Sequence, residues 1–280
     1  MDAEGIDAVK TFWEESPLFV GESEFEPGST TFFEHHNDVV LKDCFAGEID
    51  ERIFPERAED LEMPVLDAGC GIGYWLEQFA RRGFQNVTGF DISSTALSLA
   101  RTRMALLNCD FALVEGNLEE LPFNEGTFGH VNCQGVVHHT PNPRRALSEI
   151  ARVLRPGGSA SISVYYQNWF LRNFDRIKPV LRLLVRVGVG LRGRGRESML
   201  LSESSAELVR QYDGAQNPVG VSYEQQEFQD LLSEFFVVEE TFVHFFPRRA
   251  VKQMPRWLHR QLDQRLGFMI YASLVKKPAV

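Results

Sequence analysis

Residues 65–73 read VLDAGCGIG, an apolar strand pattern with an acidic residue, followed by glycines at alternate positions. Glycine has no Cβ and adopts positive φ, so a strand can turn sharply into a helix here while its backbone lies against a ligand. The helical pattern of residues 74–82 would direct its N-terminal N–H groups at that turn. A carboxylate at Asp67 repels a pyrophosphate but suits an ammonium or sulfonium group. The stretch therefore predicts a strand-turn-helix unit that binds a positively charged ligand.

The segment 86–91, NVTGFD, has the pattern of the next strand and ends in an acidic residue. Asp91 lies twenty residues after Gly71, the distance at which a carboxylate reaches a ribose diol in dinucleotide-binding folds. The glycine pattern differs from the dinucleotide fingerprint, because its sixth position is Tyr74. We therefore expect a ribose-containing ligand that is not a dinucleotide.

Three later segments extend the pattern: LVEGNLEELPF at 113–123, HVNCQGVVHHTPNP at 130–143 and EIARVLRPGGSASISVY at 149–165. With the glycine turn, residues 63–167 closely resemble class I S-adenosylmethionine-dependent methyltransferases, in particular the branch that methylates small molecules, quinones and natural products. The resemblance implies an α/β fold with a Rossmann-like, doubly wound, mostly parallel seven-stranded sheet. It also implies a late antiparallel strand, with a helical cap formed by the N-terminus and an insert.

The resemblance implies S-adenosyl-L-methionine as the cofactor and S-adenosyl-L-homocysteine as the product. Asp67 and Gly69 should then lie near the methionyl amino group. Gly71 and Gly73 should let the backbone approach the cofactor, and Asp91 should bind the ribose hydroxyls.

The remaining cofactor residues are implied in the same way. Ile92 and Leu118 should sandwich the adenine, and Gln134 should lie near the methionyl part. Asn117 stands where the family commonly has an aspartate, and its amide oxygen can still bond the adenine edge.

His138 and His139 are the candidates for a catalytic base, because a histidine near its ordinary pKa accepts a proton at pH 7. A structural role, packing on the cofactor or bonding a backbone carbonyl, is the alternative for each. We identify no metal site, since Cys44, Cys70 and Cys109 are scattered, as is Cys133, without the spacing of zinc ligands.

Substrate contacts are expected from His35, Tyr165, Tyr166 and Trp169. His35 and His36 are adjacent on a predicted helix, so at most one of them can face the cleft. Tyr165 and Tyr166 end the fifth strand, where alternation sends one inward.

The chain divides into four predicted parts: a helical cap at 1–62, the cofactor-binding core at 63–167, a basic amphipathic helical insert or lid at 168–220, and the C-terminal part of the core sheet at 221–280. Within the last part, Ser222 and Gln225 form a capping-box pattern that should open a helix. Two late strands and a helix near residues 256–265 should follow.

The insert is basic, with eight arginine or lysine residues against two acidic ones in 168–200. Its apolar spacing predicts two helices interrupted at Pro179, followed by a mobile RGRGR loop at 192–196. The segment either packs as a lid with a solvated basic face or contacts an anionic substrate or membrane surface.

The overall charge of −10 argues against a nucleic-acid partner. The sequence predicts no transmembrane segment and no secretory signal, so we expect a cytoplasmic protein with a small-molecule substrate. The N-terminal helices are candidate surfaces for a homodimer.

These features predict methyl transfer from S-adenosylmethionine to a small, fairly apolar acceptor. Methylation of a peptide or protein remains an alternative, as does a protein that binds the cofactor without transferring methyl.

Overall fold

The computed structural model describes residues 3–55, 61–186, 196–246 and 254–278, and within these ranges eight strands form one sheet. The strands are β1 (Val65–Ala68), β2 (Val87–Asp91), β3 (Ala112–Glu115), β4 (Phe128–Gln134), β5 (Leu154–Tyr166), β6 (Ser222–Tyr223), β7 (Phe236–His244) and β8 (Met269–Lys276).

The strand order is β3-β2-β1-β4-β5-β8-β7, and the short β6 pairs with β5 beside this path. Strand β8 runs antiparallel to both of its neighbours, whereas the pairs among β1 to β5 are parallel. The predicted mostly parallel sheet with a late antiparallel strand is therefore confirmed. The two-residue strand β6 is an addition to the seven strands predicted.

The α-helices within the described residues are α1 (Ala3–Glu15), α2 (Thr30–Val39), α3 (Tyr74–Arg81), α4 (Ser94–Leu106), α5 (Pro143–Val153), α6 (Trp169–Arg172), α7 (Phe174–Arg186), α8 (Ser205–Arg210), α9 (Gln225–Ser233) and α10 (Arg256–Leu266). Polar side chains begin several of them by accepting an otherwise unpaired backbone N–H. Ser29 caps α2, Ser93 caps α4 and Asn142 caps α5.

Alternation along the buried strands divides the apolar core between the two faces of the sheet. Val65 and Leu66 are both fully buried, yet they belong to different hydrophobic clusters. The cluster of Leu66 includes Phe228 of α9, and that of Val65 includes Phe79 of α3. Helices therefore cover both faces, as a doubly wound sheet requires.

The N-terminal helix α1 is anchored on the start of α4 by one carboxylate. Glu14 accepts hydrogen bonds from Ser93 Oγ at 2.6 Å and from the Thr95 N–H at 3.1 Å, and Ser94 Oγ also donates to it. Desolvation raises the pKa of Glu14, but these hydrogen bonds outweigh it and lower the pKa to about 2. The cap is thus attached to the N-terminal end of the core helix α4.

The insert corrects one prediction. Helix α7 continues through Pro179, and the break lies instead at Asn173, between α6 and α7. Asn173 follows the last residue of α6, and its Nδ2 donates to the Trp169 carbonyl at 2.9 Å, a side-chain bond that competes with continuation of the helix. The predicted mobile loop falls mostly within 187–195, outside the described residues.

The start of α9 corrects a second prediction. Its N-cap is Glu224, which forms a capping box with Glu227, while Ser222 belongs to β6. Pairing of Ser222 with Tyr165 keeps the chain extended for two residues more than the sequence pattern indicated. The late strands and the helix near 256–265 are present as β7, β8 and α10.

Within the described ranges, no helix combines the length and the apolarity needed to cross a bilayer.

Candidate functional site

A cavity of about 290 Å³ opens where the parallel strands end, near the reversal of strand order between β1 and β4. The turn after β1, the ends of β2, β4 and β5, and helices α1 and α2 contribute to its wall. Its aromatic lining residues are Trp13, Phe19, Phe45, Tyr74, Trp75, Phe90, Tyr165, Tyr212, Phe245 and Tyr271. Crevices at such a reversal are the usual ligand sites of open α/β sheets.

The glycine turn forms one side of the cavity. Gly69 and Gly71 have φ of +82° and +51°, a conformation that side chains rarely adopt. A Cβ at Gly69 would collide with Val136, whereas a Cβ at Gly71 would meet nothing within 4 Å. Gly71 therefore leaves room on the cavity side. Gly73 does not line the cavity, and a Cβ there would lie 3.3 Å from Ala100 of α4, so its role in this structure is helix packing.

Asp91 lies beside this turn and lines the cavity. Its Oδ2 accepts from the Gly71 N–H at 2.7 Å and its Oδ1 from the Ser93 N–H at 2.9 Å. Burial raises its pKa, although the backbone hydrogen bonds oppose the shift. Each carboxylate oxygen keeps a further lone pair, so the pair of oxygens fits the two hydroxyls of a ribose.

Asp67 lies behind the cavity wall and belongs to a buried series of hydrogen-bonded polar side chains. Its Oδ1 accepts from Asn132 Nδ2 at 2.7 Å, and Gln134 Nε2 in turn donates to Asn132 Oδ1 at 2.9 Å and to Ser161 Oγ at 2.8 Å. Asp67 Oδ2 and Gln134 Oε1 are buried without a hydrogen-bond partner among the described residues. These two oxygens lie beside the glycine turn and lack hydrogen-bond donors, and an ammonium group would supply them.

Desolvation raises the pKa of Asp67 to about 7, with the charge of Asp91 adding to the rise and the Asn132 hydrogen bond opposing it. A buried carboxylate with so high a pKa gains from a cation beside it, because the cation offsets the cost of burying negative charge.

The residues predicted for the adenine end all line the cavity: Ile92, Asn117 and Leu118. Asn117 Oδ1 already accepts from the Glu119 N–H at 3.0 Å, in a side-chain turn. Its contact with adenine stays a prediction, made through the remaining lone pair of Oδ1 or through the amide N–H groups.

Both candidate histidines line the cavity and are buried, but their ring nitrogens have different surroundings. His139 Nδ1 lies 2.6 Å from the Val219 carbonyl oxygen and its Nε2 lies 3.0 Å from Asp213 Oδ2. Because the carbonyl only accepts, Nδ1 carries the hydrogen of this contact, and Nε2 faces the Asp213 carboxylate. His139 therefore acts here as a partner of Asp213.

His138 packs its ring against Tyr165, with ring centres 4.0 Å apart. Both of its ring nitrogens are buried without a partner among the described residues. Desolvation, together with the neighbouring His139, lowers the pKa of His138 well below the ordinary value. It is neutral at pH 7 and a weak base.

The four predicted substrate residues are not brought together. Tyr165 lines the cavity and donates its hydroxyl hydrogen to Asp213 Oδ2, whereas Tyr166 points to the opposite face of the sheet and packs on the cluster of Leu66. Trp169 is 51% exposed and lies outside the cavity wall.

His35 also lies outside the cavity, bonded to Ser23 Oγ at 2.9 Å, and its neighbour His36 lines the cavity instead. Adjacent residues on a helix point about 100° apart, so only one of the pair can face inward.

Sequence reasoning did not identify Asn132 or Asp213 as site residues. Alternation offered a signal for Asn132, because it shares a strand face with Gln134. Asp213 ends a short 3₁₀ helix (Gln211–Asp213) far along the chain from His139, and no local pattern connects the two. Among the described residues, no cluster of histidine, cysteine, aspartate or glutamate is placed to hold a metal ion.

Part of this chain is similar in sequence to known methyltransferases. A family model described as a methyltransferase domain matches residues 66–162. The ubiquinone biosynthesis O-methyltransferase of Alkalilimnicola ehrlichii is 37% identical over 105 residues, which are 37% of this chain and 42% of that protein. The protein of the same name from Pseudomonas aeruginosa is 34% identical over 117 residues, covering 40% and 49% of the two chains. The match thus spans less than half the length of these curated relatives.

Solved structures resemble this chain over a larger part of its length than the curated relatives do. An S-adenosylmethionine-dependent methyltransferase from Methanosarcina mazei has a TM-score of 0.53 at 19% identity, over 79% of this chain and 95% of that one. One from Mesorhizobium loti has a TM-score of 0.51 at 16% identity, over 80% and 94%. At these identities the likeness shows a common fold.

Proposed function

We propose that this chain, whose residues 66–162 match a methyltransferase domain, transfers a methyl group from S-adenosylmethionine to a small, mostly apolar acceptor. One observation carries the proposal. The glycine turn, the Asp91 carboxylate and the orphaned acceptor of Gln134 line the same cavity as a group of aromatic side chains. A nucleoside site and an apolar acceptor site are thereby continuous.

The residues present fit the cofactor. Asp91 would bind the ribose hydroxyls, Ile92 and Leu118 would enclose the adenine, and Gln134, with Asp67 behind it, would hold the methionyl ammonium. Bound S-adenosylmethionine supplies an electrophilic methyl group on a positively charged sulfur. The chain's own task is to hold the acceptor atom in line and to exclude water, and such positioning lowers barriers by about 7–11 kcal/mol in favourable cases.

The acceptor side of the cavity is aromatic, with one polar cluster. Asp213 Oδ2 accepts from the Tyr165 hydroxyl and lies 3.0 Å from His139 Nε2. We assign Asp213 as the base that takes the proton from a hydroxyl-bearing substrate, with His139 as a positioning residue. The printed names of the curated relatives, O-methyltransferases of ubiquinone biosynthesis, support an acceptor of the quinone or phenol class.

The test is a screen for S-adenosylhomocysteine release with catechols, hydroquinones and other phenols, alongside calorimetric titration with S-adenosylhomocysteine. Binding together with acceptor-dependent release supports the proposal. Binding without release from any small acceptor favours a cofactor-binding protein or a peptide methyltransferase. Absence of binding refutes the proposal.

We further propose that the insert contacts a membrane surface from which an apolar acceptor is taken. Trp169, Val180 and Leu183 are 51%, 57% and 60% exposed on α6 and α7, beside the exposed Arg172 and Arg176. Exposed apolar and basic side chains on one short helical segment are typical of binding to anionic lipid.

Sedimentation with vesicles checks this contact. The wild-type protein should sediment with vesicles that contain phosphatidylglycerol. The double variant Trp169→Ser with Leu183→Ser should stay in the supernatant. Trp257→Ser, at a tryptophan 69% exposed on α10, is the control. Equal retention of all three proteins would rule out the insert as the contact.

We also propose that the protein is cytoplasmic and that it forms a homodimer. Helix α1 buries Val9 and Phe12, so the apolar side of this helix is already used within one chain. Light scattering of the purified protein tests the dimer.

A further inference from the structure

One histidine of the N-terminal cap lies between the cavity and a buried arginine. Arg103 of α4 is 1% exposed, and its Nε donates to Glu77 Oε2 at 2.6 Å. Its Nη1 lies 3.3 Å from His36 Nδ1 and 3.3 Å from the Ile72 carbonyl oxygen, while Nη2 donates to Asn37 Oδ1. Arg103 thus links helix α2 to the glycine turn through His36 and Asn37.

This contact determines where His36 carries its hydrogen. A guanidinium has only donors, so His36 Nδ1 must accept and keeps its lone pair. In the neutral imidazole the hydrogen is then on Nε2. Burial lowers the pKa of His36 well below the ordinary value, and the charge of Arg103 lowers it further. His36 is therefore neutral at pH 7, and it cannot exchange one tautomer for the other while Arg103 is in place.

His36 presents this donor at the cavity. It lines the wall together with Ile72 and Tyr74, where helix α3 begins. No acceptor in the described part of the chain takes the Nε2 hydrogen. A fixed and unused donor beside a helix N-terminus suits an oxygen that carries negative charge.

The methionyl group of the proposed cofactor has such an oxygen. Its carboxylate is on the same carbon as its ammonium, for which Gln134 and Asp67 offer orphaned acceptors. No lysine or arginine is found among the described residues that line the cavity. Arg103 contacts His36 Nδ1 from behind the wall and is itself paired with Glu77. The His36 Nε2–H is therefore the donor that this part of the wall offers to the carboxylate.

We propose that His36, held as the Nε2–H tautomer by Arg103, binds the carboxylate of the cofactor's methionyl group, with Arg103 as the positioning residue. The inference rests on the proposed function. It adds a cap residue to the cofactor site.

Calorimetry with two ligands tests the contact. S-adenosylhomocysteine and S-adenosyl-3-thiopropylamine differ only by the carboxylate. Loss of a hydrogen bond to a charged group costs roughly 10- to 100-fold in affinity, so the wild-type protein should prefer the first ligand by that ratio. In His36→Phe the ratio should fall to about 1, and His36→Gln, which restores an N–H donor, should recover part of it.

His35→Phe is the matched control, because it changes the same residue type one position away and outside the cavity. It should keep the wild-type ratio. If His36→Phe weakens both ligands equally, His36 only shapes the wall and the inference is wrong while the proposed function stands. If the wild-type protein binds neither ligand, both proposals fail.

Nitrogen NMR tests the tautomer itself. In ¹⁵N-histidine-labelled protein at pH 7, the signals missing from His36→Phe should show Nδ1 without a hydrogen and Nε2 with one. An Nδ1–H tautomer or an imidazolium would overturn the role assigned to Arg103.

Discussion

At the scale of single residues, Asp91 tests the cofactor assignment most directly. Its two oxygens are held by the backbone N–H groups of Gly71 and Ser93, so they are oriented before any ligand binds. Asp91→Ala removes two hydrogen bonds to a charged group, and the affinity for S-adenosylhomocysteine should fall by at least about 100-fold. Calorimetry measures the loss, and circular dichroism should show an unchanged fold.

Glu115→Ala is the matched control for this change. Glu115 pairs with Asp91 in register at the end of β3, but its side chain is 44% exposed and forms an ion pair with Lys10. The variant removes the same charge and should change the affinity by about twofold or less, since exposed ion pairs contribute little. Equal losses in both variants would contradict the ribose assignment.

The rate of methyl transfer to a hydroxyl group should depend on the Asp213 carboxylate. Replacing its carboxylate by an amide in Asp213→Asn removes the proton acceptor and the partner of His139. With a hydroxyl acceptor found in the screen, kcat should fall by about 10²- to 10⁴-fold, the usual contribution of a general base. The affinity for S-adenosylhomocysteine should stay close to that of the wild type. A variant with nearly full kcat would show that the acceptor needs no base from this cluster.

At the scale of secondary-structure elements, Glu14 connects helix α1 to the start of α4. Its folded pKa of about 2 lies below the ordinary 4.5, so the carboxylate adds stability above pH 4.5 and loses that contribution as the pH falls towards 2. Because Glu14 is partly exposed, we expect Glu14→Gln to lower the free energy of unfolding by about 1 kcal/mol at pH 7. Urea unfolding at several pH values should show the difference shrinking below pH 4.5.

Glu15→Gln is the control for Glu14, since the neighbouring side chain is exposed. It should change the free energy of unfolding by less than about 0.5 kcal/mol. A pH-independent difference for Glu14→Gln would contradict the capping role.

The elements show why local patterns predicted the sheet better than the helix ends. Strand β1 is recognisable because three of its four residues, Val65, Leu66 and Ala68, are apolar, and tertiary contacts reinforce that pattern. The start of α9 depends instead on whether Ser222 pairs with β5, and this pairing is a long-range event. The break at Asn173 rather than Pro179 depends on one side-chain hydrogen bond, whose strength no periodicity encodes.

At the scale of the whole molecule, one part of the site follows from local sequence patterns and the other part depends on contacts between distant residues. The glycine turn and Asp91 could be predicted because their spacing is fixed by one strand-turn-helix unit and the strand after it. Asp213 and Arg103 could not, because each acquires its role from a residue distant in sequence, His139 for Asp213 and His36 for Arg103. Helix geometry limited the pair His35 and His36 to one inward-facing residue but did not say which one. The acceptor half of the cavity is therefore a property of the assembled fold.

Because the cap, the core and the C-terminal strands all line the cavity, a bound ligand should stabilise them together. Trp13 of α1 packs against His139, with ring centres 5.2 Å apart, so its fluorescence reports contact between the cap and the core. In a variant with Trp75, Trp169 and Trp257 replaced by Phe, urea unfolding followed by Trp13 fluorescence should coincide with unfolding followed by circular dichroism. S-adenosylhomocysteine at 100 times its Kd should raise both free energies of unfolding by about 2.7 kcal/mol. A Trp13 transition that occurs at lower urea and does not respond to the ligand would show that the cap folds independently of the site.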